Sequence, residues 1–365
     1  MKKITIFATA ILALAACTKS EVLVEEAAPI SFAPNALQTK ALILPDGNSG
    51  TQLDVPTTES FNVFAFADLD GTGTDYETNY ATPLMNDVNI SYQGGDWKAT
   101  TGTYLWPATG TVDFYAYHPA SINATFDTAS DPKALSLTGI SLGTSVGSQI
   151  DPLVASVLAQ ASASKPKVGL VFKHITSQIA ATAFDATTTT SLQGKISIKS
   201  VVFKNLNTSG DYHEGTTVGK GEWTNINTVS NFTTFSGSEV LSTTESYLSG
   251  SSFIASIDNS AAFVVVPSGI TNDATTGQAI EVTYSIAAYT INGFDYPATP
   301  NQTVTIPLYG KVSANTFQNG KRYVFHIGIS LDGANNEIMF SPKVDGWETE
   351  DIDGITIDAV NATLL

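Results

Sequence analysis

Phe61-Asn62-Val63-Phe64-Ala65-Phe66-Ala67 reads as a β-strand: it is dense in aromatic and branched residues and runs into the Asp- and Gly-containing stretch Asp68-Leu69-Asp70-Gly71. Thr111-Val112-Asp113-Phe114-Tyr115-Ala116-Tyr117 has the same character. Similar short runs recur at Val168–Phe172, Lys195–Phe203, Phe263–Val266, Ile280–Tyr289, Val304–Tyr309 and Arg322–Ile329. Each is rich in Val, Ile, Phe, Tyr and Thr and is bounded by turn-forming residues. Helix-period spacing is nearly absent, and the best helical segment is the Ala-rich Pro152–Ala163. Many short strands without alternating helices predict an all-β chain built of antiparallel sandwiches.

A chain of 365 residues suits one large domain or two of ordinary size. The polar stretch Asn205–Gly221 marks the expected boundary, giving units at 41–206 and 207–347. Hydrophobic residues at 42% exclude wholesale disorder. The balance of 34 acidic to 17 basic side chains, a formal charge of −17, excludes a nucleic-acid partner, because no basic surface can displace phosphate counterions. Charged residues are only 14%, so Ser, Thr, Asn and Gly must cover much of the surface, a profile of secreted or cell-surface β proteins. One cysteine excludes an internal disulfide.

That cysteine closes the N-terminal signal. Lys2 and Lys3 precede the apolar run Ile4–Ala16, which is too short to span a bilayer and reads as an export signal. It ends Leu14-Ala15-Ala16-Cys17, which resembles a bacterial lipobox. Residues 1–17 are therefore expected to be a lipoprotein signal, with the Cys17 thiol as the nucleophile that takes up diacylglycerol. Each buried CH₂ of the acyl chains stabilises membrane association by about 0.8 kcal/mol. Residues 18–40 begin as a tether from the lipid.

Other chemical signals are sparse. Gly143-Thr144-Ser145-Val146-Gly147 matches G-x-S-x-G but lacks the predicted strand, helix and parallel sheet of a nucleophile elbow, and reads as a loop. His118, His174, His213 and His326 have no metal-ligand spacing. Asp68, Asp70 and Thr72, with Gly73 in the sixth place, partly resemble a calcium loop, but Asn79 stands where a bidentate Glu belongs. An acidic hairpin turn explains the same residues. Glu348, Glu350, Asp351 and Asp353 are paired carboxylates with nothing to aim them at one substrate. Aromatic residues in strands form cores or, where exposed, a glycan platform. No enzyme activity and no cofactor are expected.

Several spaced motifs together resemble the fimbrillins, the lipoprotein subunits of type V pili in Bacteroidota. Trp106-Pro107 followed by Val112-Asp113-Phe114-Tyr115-Ala116-Tyr117-His118-Pro119 looks like their "W-P…FYAY-x-P" stretch. Leu170-Val171-Phe172-Lys173-His174 through Ser177 resembles "L-x-F-x-H-x-x-S", and Gly320–Ile327 with Val344-Asp345-Gly346-Trp347 resembles the late elements of the family. The resemblance implies two tandem transthyretin-like antiparallel β-sandwich domains. It also implies a structural subunit of the pilus shaft, exported to the outer membrane as a lipoprotein precursor and assembled into the fimbrium at the cell surface.

In such pilins a trypsin-like protease trims the N-terminus and a neighbouring subunit supplies a replacement strand, by donor-strand exchange. Thr39-Lys40-Ala41 resembles the cleavage site, with Lys40 where the family usually has Arg. Before it, Ala28, Ile30, Phe32, Pro34 and Ala36 alternate as one apolar face, so Ile30 and Phe32 mark the strand to be removed. In the extension 348–365, Ile355, Ile357 and Ala359 share a face and mark the donor strand, with a register break expected near Ala359-Val360. The implied partners are other copies in a homopolymer, anchor and tip subunits, the processing protease, the outer membrane through lipid, and host proteins or glycans. A tip or accessory adhesin, and a surface glycan-binding lipoprotein that never polymerises, stand as alternatives.

Overall fold

A computed structural model describes residues 28–36, 53–54, 57–69, 83–127, 134–146, 148–255, 261–331, 338–345 and 355–357. Among them the chain is all-β, of the β-sandwich class, and twenty-five strands are joined by turns and three short 3-10 segments.

The N-terminal strands form a nearly closed sheet. Strand β1 (Phe32–Ala36) is followed by β2 (Leu53–Asp54), β3 (Ser60–Asp68), β4 (Met85–Gln93), β5 (Asp96–Ala99) and β6 (Thr111–His118). Two more strands, β7 (Asn123–Asp127) and β8 (Ala134–Ser141), leave this sheet, which resumes with β9 (Leu153–Ala161) and β10 (Val168–His174). Its order is β10-β9-β6-β3-β4-β5-β1-β2, and β1 also pairs with β10, so the ring closes through β1.

Both faces of this ring are buried, which explains why its central strands read as near-continuous apolar runs instead of alternating ones. Phe61, Val63 and Ala65 of β3, with Val112, Phe114 and Ala116 of β6, point into the ring. Phe64 and Phe66 of β3 and Tyr117 of β6 point outward, beneath a second sheet of order β14-β13-β8-β7, where β13 is Ser209–His213 and β14 is Glu222–Thr224.

Strand β9 lies within Pro152–Ala163, the segment that reads as the best helical candidate. Ala, Leu and Gln are good helix formers, but propensity is worth less than about 1 kcal/mol per residue and yields to tertiary context. Here Leu153, Val154 and Ala155 are buried, and β9 is held between β6 and β10. Tertiary pairing overrides the local preference, and near its end Asp113 Oδ1 accepts the Ala159 N–H at 2.6 Å, where the β6–β9 register shifts.

The C-terminal strands build a sandwich. One sheet contains β11 (Ser177–Asp185), β16 (Ser246–Ser249), β17 (Ser252–Ile254), β18 (Phe263–Val265), β23 (Arg322–Ile329), β24 (Ile338–Asp345) and β25 (Ile355–Ile357). The other has order β15-β12-β19-β22, from β12 (Ile196–Asn207), β15 (Val229–Val240), β19 (Ala279–Ile286) and β22 (Thr299–Pro307). Between them Phe203 meets Phe325 edge-on at 5.3 Å, and Phe232 stacks on Phe263 at 4.3 Å. A hairpin of β20 (Tyr289–Ile291) and β21 (Phe294–Tyr296) stands apart from both sheets.

Pairing does not divide the chain at 206/207. Strand β11, before that point, and β12, which runs across it, pair with β23 and β15 after it, while β13 returns to β8 of the N-terminal half. Two pairings, β1 with β10 and β11 with β23, are parallel, in contrast to the antiparallel arrangement expected throughout.

The two halves meet at the short link between β10 and β11. His174 Nδ1 lies 2.7 Å from Asp151 Oδ2, and the Thr176 hydroxyl donates to Asp151 Oδ1 at 2.8 Å. The Gln149 side chain donates to the Val264 carbonyl at 2.7 Å and accepts the Val264 N–H at 2.8 Å. Buried polar groups satisfied in this way hold β18 against the N-terminal half.

Candidate functional site

The segment 28–36 is the strand that closes the first unit, and its neighbours hold it on two edges. On one side β1 runs parallel to β10, from Phe32 opposite Val168 to Ala36 opposite Phe172. The Val168 N–H donates to the Ser31 carbonyl at 2.9 Å. On the other side Phe32 lies opposite Trp97 of β5, and Asn35 and Ala36 lie opposite Asp54 and Leu53. Just before β1, the Ile30 N–H donates to the Tyr104 carbonyl at 2.8 Å, and the Trp106 N–H donates to the Ala28 carbonyl at 3.0 Å.

Side chains alternate as strand geometry demands. Ile30, Phe32 and Pro34 are buried, whereas Pro29 is exposed and Ser31 and Ala33 are half-buried. Phe32, 2% exposed, is the anchor. Its ring meets Phe61 at 5.9 Å and Phe114 at 5.8 Å, each with an interplanar angle of 89°. Such edge-to-face pairs add about 0.5–1.5 kcal/mol beyond burial. Phe61 in turn packs on Trp97 and Phe172, and Trp106 packs on Phe114. The strand therefore fills an aromatic groove whose two lips are β5 and β10. Chemically this is a receptacle for an extended chain, with main-chain hydrogen bonds at both lips and pockets for every second side chain.

Sequence reading placed Ile30 and Phe32 on one apolar face but did not identify the walls they would meet. Those walls come from the quoted motifs. Trp106 and Phe114 belong to the Trp-Pro and Phe-Tyr-Ala-Tyr stretch, and Leu170 and Phe172 to the run before His174. The identifying signal was alternation within each run, because only the inward half of each motif lines the groove.

Residues Ile355 and Ile357 lie in β25, hydrogen-bonded antiparallel to β24, with Ile357 opposite Ile338 and Ile355 opposite Phe340. The expected donor segment thus sits on the outer edge of its own C-terminal sheet. Cys17, Lys40, Ala41 and Ala359 lie outside the described residues, as do Asp70, Thr72 and the carboxylates 348–353. Asp68 is buried at the end of β3. Among the described residues no group of three His, Cys, Asp or Glu side chains could hold a metal ion, and no helix is long and apolar enough to cross a membrane.

His118, His213, His326, Ser145 and Glu214 each have a local partner. His118 Nδ1 lies 3.0 Å from the Ser60 carbonyl, His213 pairs with Ser136, and His326 pairs with Glu245. Burial holds the His118 imidazole below its ordinary pKa. Ser145 Oγ lies 2.6 Å from Ser148 Oγ, in a loop with no strand-to-helix elbow. Glu214 accepts the Gly219 N–H at 3.0 Å and the Tyr212 hydroxyl at 3.1 Å, and burial pushes its carboxyl up to about 7. None of these groups lines the groove.

Comparison with known proteins bears on this geometry. A family model described as fimbrillin-like matches residues 46–347. A fimbrial protein from Bacteroides vulgatus has a TM-score of 0.55 at 14% identity, over 87% of this chain and 99% of that one, so the two share a fold. A protein from Bacteroides uniformis, described as acting in cell adhesion, gives a TM-score of 0.46 at 17% identity, over 88% of this chain and 98% of that one. Among curated proteins none matches.

Proposed function

The chain belongs to the fimbrillin-like family of fimbrial and cell-adhesion proteins, and on that premise we propose that it is a shaft subunit that polymerises by exchanging its first described strand. The observation that carries this reading is the seat of β1. The strand comes early in the chain, it closes a ring that is otherwise continuous from β5 round to β10, and its buried side chains pack in an aromatic groove. Cleavage after Lys40 releases residues 28–36. The emptied groove then presents two unpaired strand edges and an apolar floor, a state that favours capture of another extended segment.

The incoming segment in this reading is the C-terminal extension of a neighbouring copy, with Ile355, Ile357 and Ala359 as the inward face. Among the described residues its pairing with β24 covers three residue pairs. Export as a Cys17-linked lipoprotein brings the precursor to the outer surface before trimming. Two tandem transthyretin-like domains, anchor and tip subunits at the filament ends, and contact with host proteins or glycans complete the proposal. A tip or accessory adhesin role is the competing reading, and the position of β25 within its own sheet is the observation in its favour.

Limited trypsin digestion of the lipid-free chain, followed by mass spectrometry and electron microscopy, tests the proposal. One early cut after Lys40 followed by detergent-resistant ladders or filaments is expected. A truncation after Trp347 is expected to fold, be cut, and remain monomeric. Filaments formed by that truncation would remove the donor role from 348–365, and a cut protein that never assembles would favour the tip role.

A further inference from the structure

The hairpin of β20 and β21 carries exposed aromatic residues at the end of the C-terminal sandwich farthest from the N-terminal half. We propose that Phe294 and Tyr296 dock on a second copy of this chain, against Leu105 at the mouth of that copy's β1 groove. This contact rests on the strand-exchange reading and adds a second hold between neighbouring copies.

Backbone pairing fixes where the hairpin stands. Strand β11 starts at Ser177, next to the link with β10, so Asp185 marks its far end. Strand β12 runs back from Ile196 at the far end to Asn207, and β13 then joins the N-terminal half. Hydrogen bonds tie the far ends together. The Ala186 N–H donates to the Ile329 carbonyl at 2.9 Å, and the Gly194 N–H donates to Asp185 Oδ2 at 2.8 Å. The hairpin grows from this end, since Ile286 lies opposite Ile196 and the Ala287 N–H donates to the Lys195 carbonyl at 2.8 Å.

Residues directly opposite across a hairpin point to one side. Tyr289 with Tyr296, and Ile291 with Phe294, therefore share a face, and Thr290 with Asp295 occupy the other. On the shared face Tyr289 and Ile291 of β20 pack against the C-terminal core. Phe294 and Tyr296 of β21 remain 70% and 44% exposed. Tyr296 stacks on Tyr289 at 4.9 Å, and the Asn292-Gly293 turn has the positive φ angles, 52° and 80°, of a type I′ hairpin. Phe294 is thus held out as an apolar knob on a stiff support.

Two observations make a second copy the occupant. The C-terminal extension leads to this end, because Ile357 lies opposite Ile338, which lies opposite Ile329. Residues 358–365 follow Ile357 and can reach at most about 29 Å from it, so a copy that binds them stands close to the hairpin. The receiving groove also opens at an apolar residue. A strand that enters in the direction of β1 arrives at the Ile30 end, where the Tyr104 carbonyl and the Trp106 N–H hold the chain. Leu105 lies between them, opposite Pro29, and is 42% exposed with the strand in place. Cleavage after Lys40 removes Pro29 and opens Leu105 further. Because β1 runs parallel to β10, this end of the groove points away from the chain's own sandwich. The far end of one copy thus meets the far end of the next. Such a contact joins two different surfaces, so it repeats along a filament. An apolar contact also suits copies that each carry a formal charge of −17 and repel one another.

The test uses the lipid-free chain from Thr18 to Leu365, which has no cysteine, cut after Lys40 and followed by light scattering and electron microscopy. On oxidation, filaments of the Phe294→Cys/Leu105→Cys variant are expected to give ladders of covalent multimers that survive boiling and collapse with reductant. Phe294→Ser and Leu105→Ser are each expected to slow assembly about tenfold, the effect of losing about 1.4 kcal/mol at one contact. Val229→Ser, 56% exposed and opposite Asn207 at the other end of the sandwich, is expected to assemble as the parent does. Filaments without covalent ladders, or serine variants at 294 and 105 that assemble as fast as the parent, would overturn the docking contact and leave strand exchange standing. A cut parent chain that forms no filaments would overturn strand exchange and this contact with it.

Discussion

Replacing Phe32 by alanine probes whether the first strand is held by its inward face. Phe32 is 2% exposed and contacts Phe61 and Phe114 edge-on, so the substitution removes a phenyl ring from a closed aromatic cluster. The rings around it are anchored in β3 and β6 and cannot collapse freely into the space. A buried Phe→Ala change of this kind costs about 3–5 kcal/mol, a large part of the roughly 5–15 kcal/mol that stabilises an ordinary domain. Pro29→Ala, at an exposed position of the same segment, is the control and is expected to change stability by less than about 0.5 kcal/mol. Urea unfolding of the lipid-free chain, followed by tryptophan fluorescence, reads both. Trp97 and Trp106 stand beside the groove and report on it directly. A Phe32→Ala loss below about 1 kcal/mol, or equal effects of the two variants, would refute the claim that burial of alternate side chains seats this strand.

Further expectations concern other parts of the fold. Gln149→Leu strands the buried N–H and carbonyl of Val264, and is expected to cost about 2–4 kcal/mol in urea unfolding. Gly110→Ala places a Cβ 1.9 Å from the Asp68 carbonyl oxygen and is expected to cost about 2–4 kcal/mol, whereas Gly94→Ala, with φ of 62° and open space around it, is expected to cost only about 1 kcal/mol in the same assay. Stability should also depend on pH through two buried groups of opposite sense. The folded pKa of His118 lies below its unfolded value near 6.5, so its contribution is complete above that pH and is lost as pH falls. The folded pKa of Glu214 is raised from 4.5 to about 7, so its contribution is present at low pH and is lost as pH rises through that window. Melting temperatures measured from pH 4 to 8 are expected to lose the alkaline slope in Glu214→Gln and the acid slope in His118→Asn.

Much of the strand pattern was legible in the sequence because aromatic and branched residues cluster where the pleated chain is buried. Arg322–Ile329 is a strand with the boundaries read from composition, and the runs at 61–67 and 111–117 are the centre of the first sheet. What could not be read is long-range partnership. The Phe64 and Phe66 side of β3 looks like the Phe61 and Val63 side in sequence, yet one side meets a sheet completed by residues beyond 208 and the other meets β1. Local composition does not distinguish these partners. The same limit applies to Pro152–Ala163, the best helical candidate, whose Ala-rich sequence is compatible with either structure until β6 and β10 flank it. Of the groove, the inward face of residues 28–34 was legible from alternation alone, since period two is a local property, whereas the parallel pairing with β10 depends on how the chain returns after more than a hundred residues.

The proposed exchange makes two opposed demands on β1, that it be part of the core and that it be replaceable, and the geometry of its seat is compatible with both. Its specificity comes from one face only. Main-chain hydrogen bonds at the lips accept any extended chain, and the outward positions Pro29, Ser31 and Ala33 point away from the groove. The requirement on a replacement is therefore an apolar residue at every second position with a large one near the place of Phe32. Residues Ile355 and Ile357 repeat the two-residue spacing of Ile30 and Phe32 with β-branched side chains. They would fill the groove floor without reproducing the Phe32 ring contacts. A peptide spanning residues 353–364 is accordingly expected to raise the melting temperature of a chain that begins at Ala41, and its Ile357→Phe variant to raise it further. If Ile357→Phe instead weakens rescue while Ile355→Phe strengthens it, the incoming strand is shifted by two residues from this register. If neither peptide stabilises the trimmed chain, residues 353–364 are not the segment that the groove accepts.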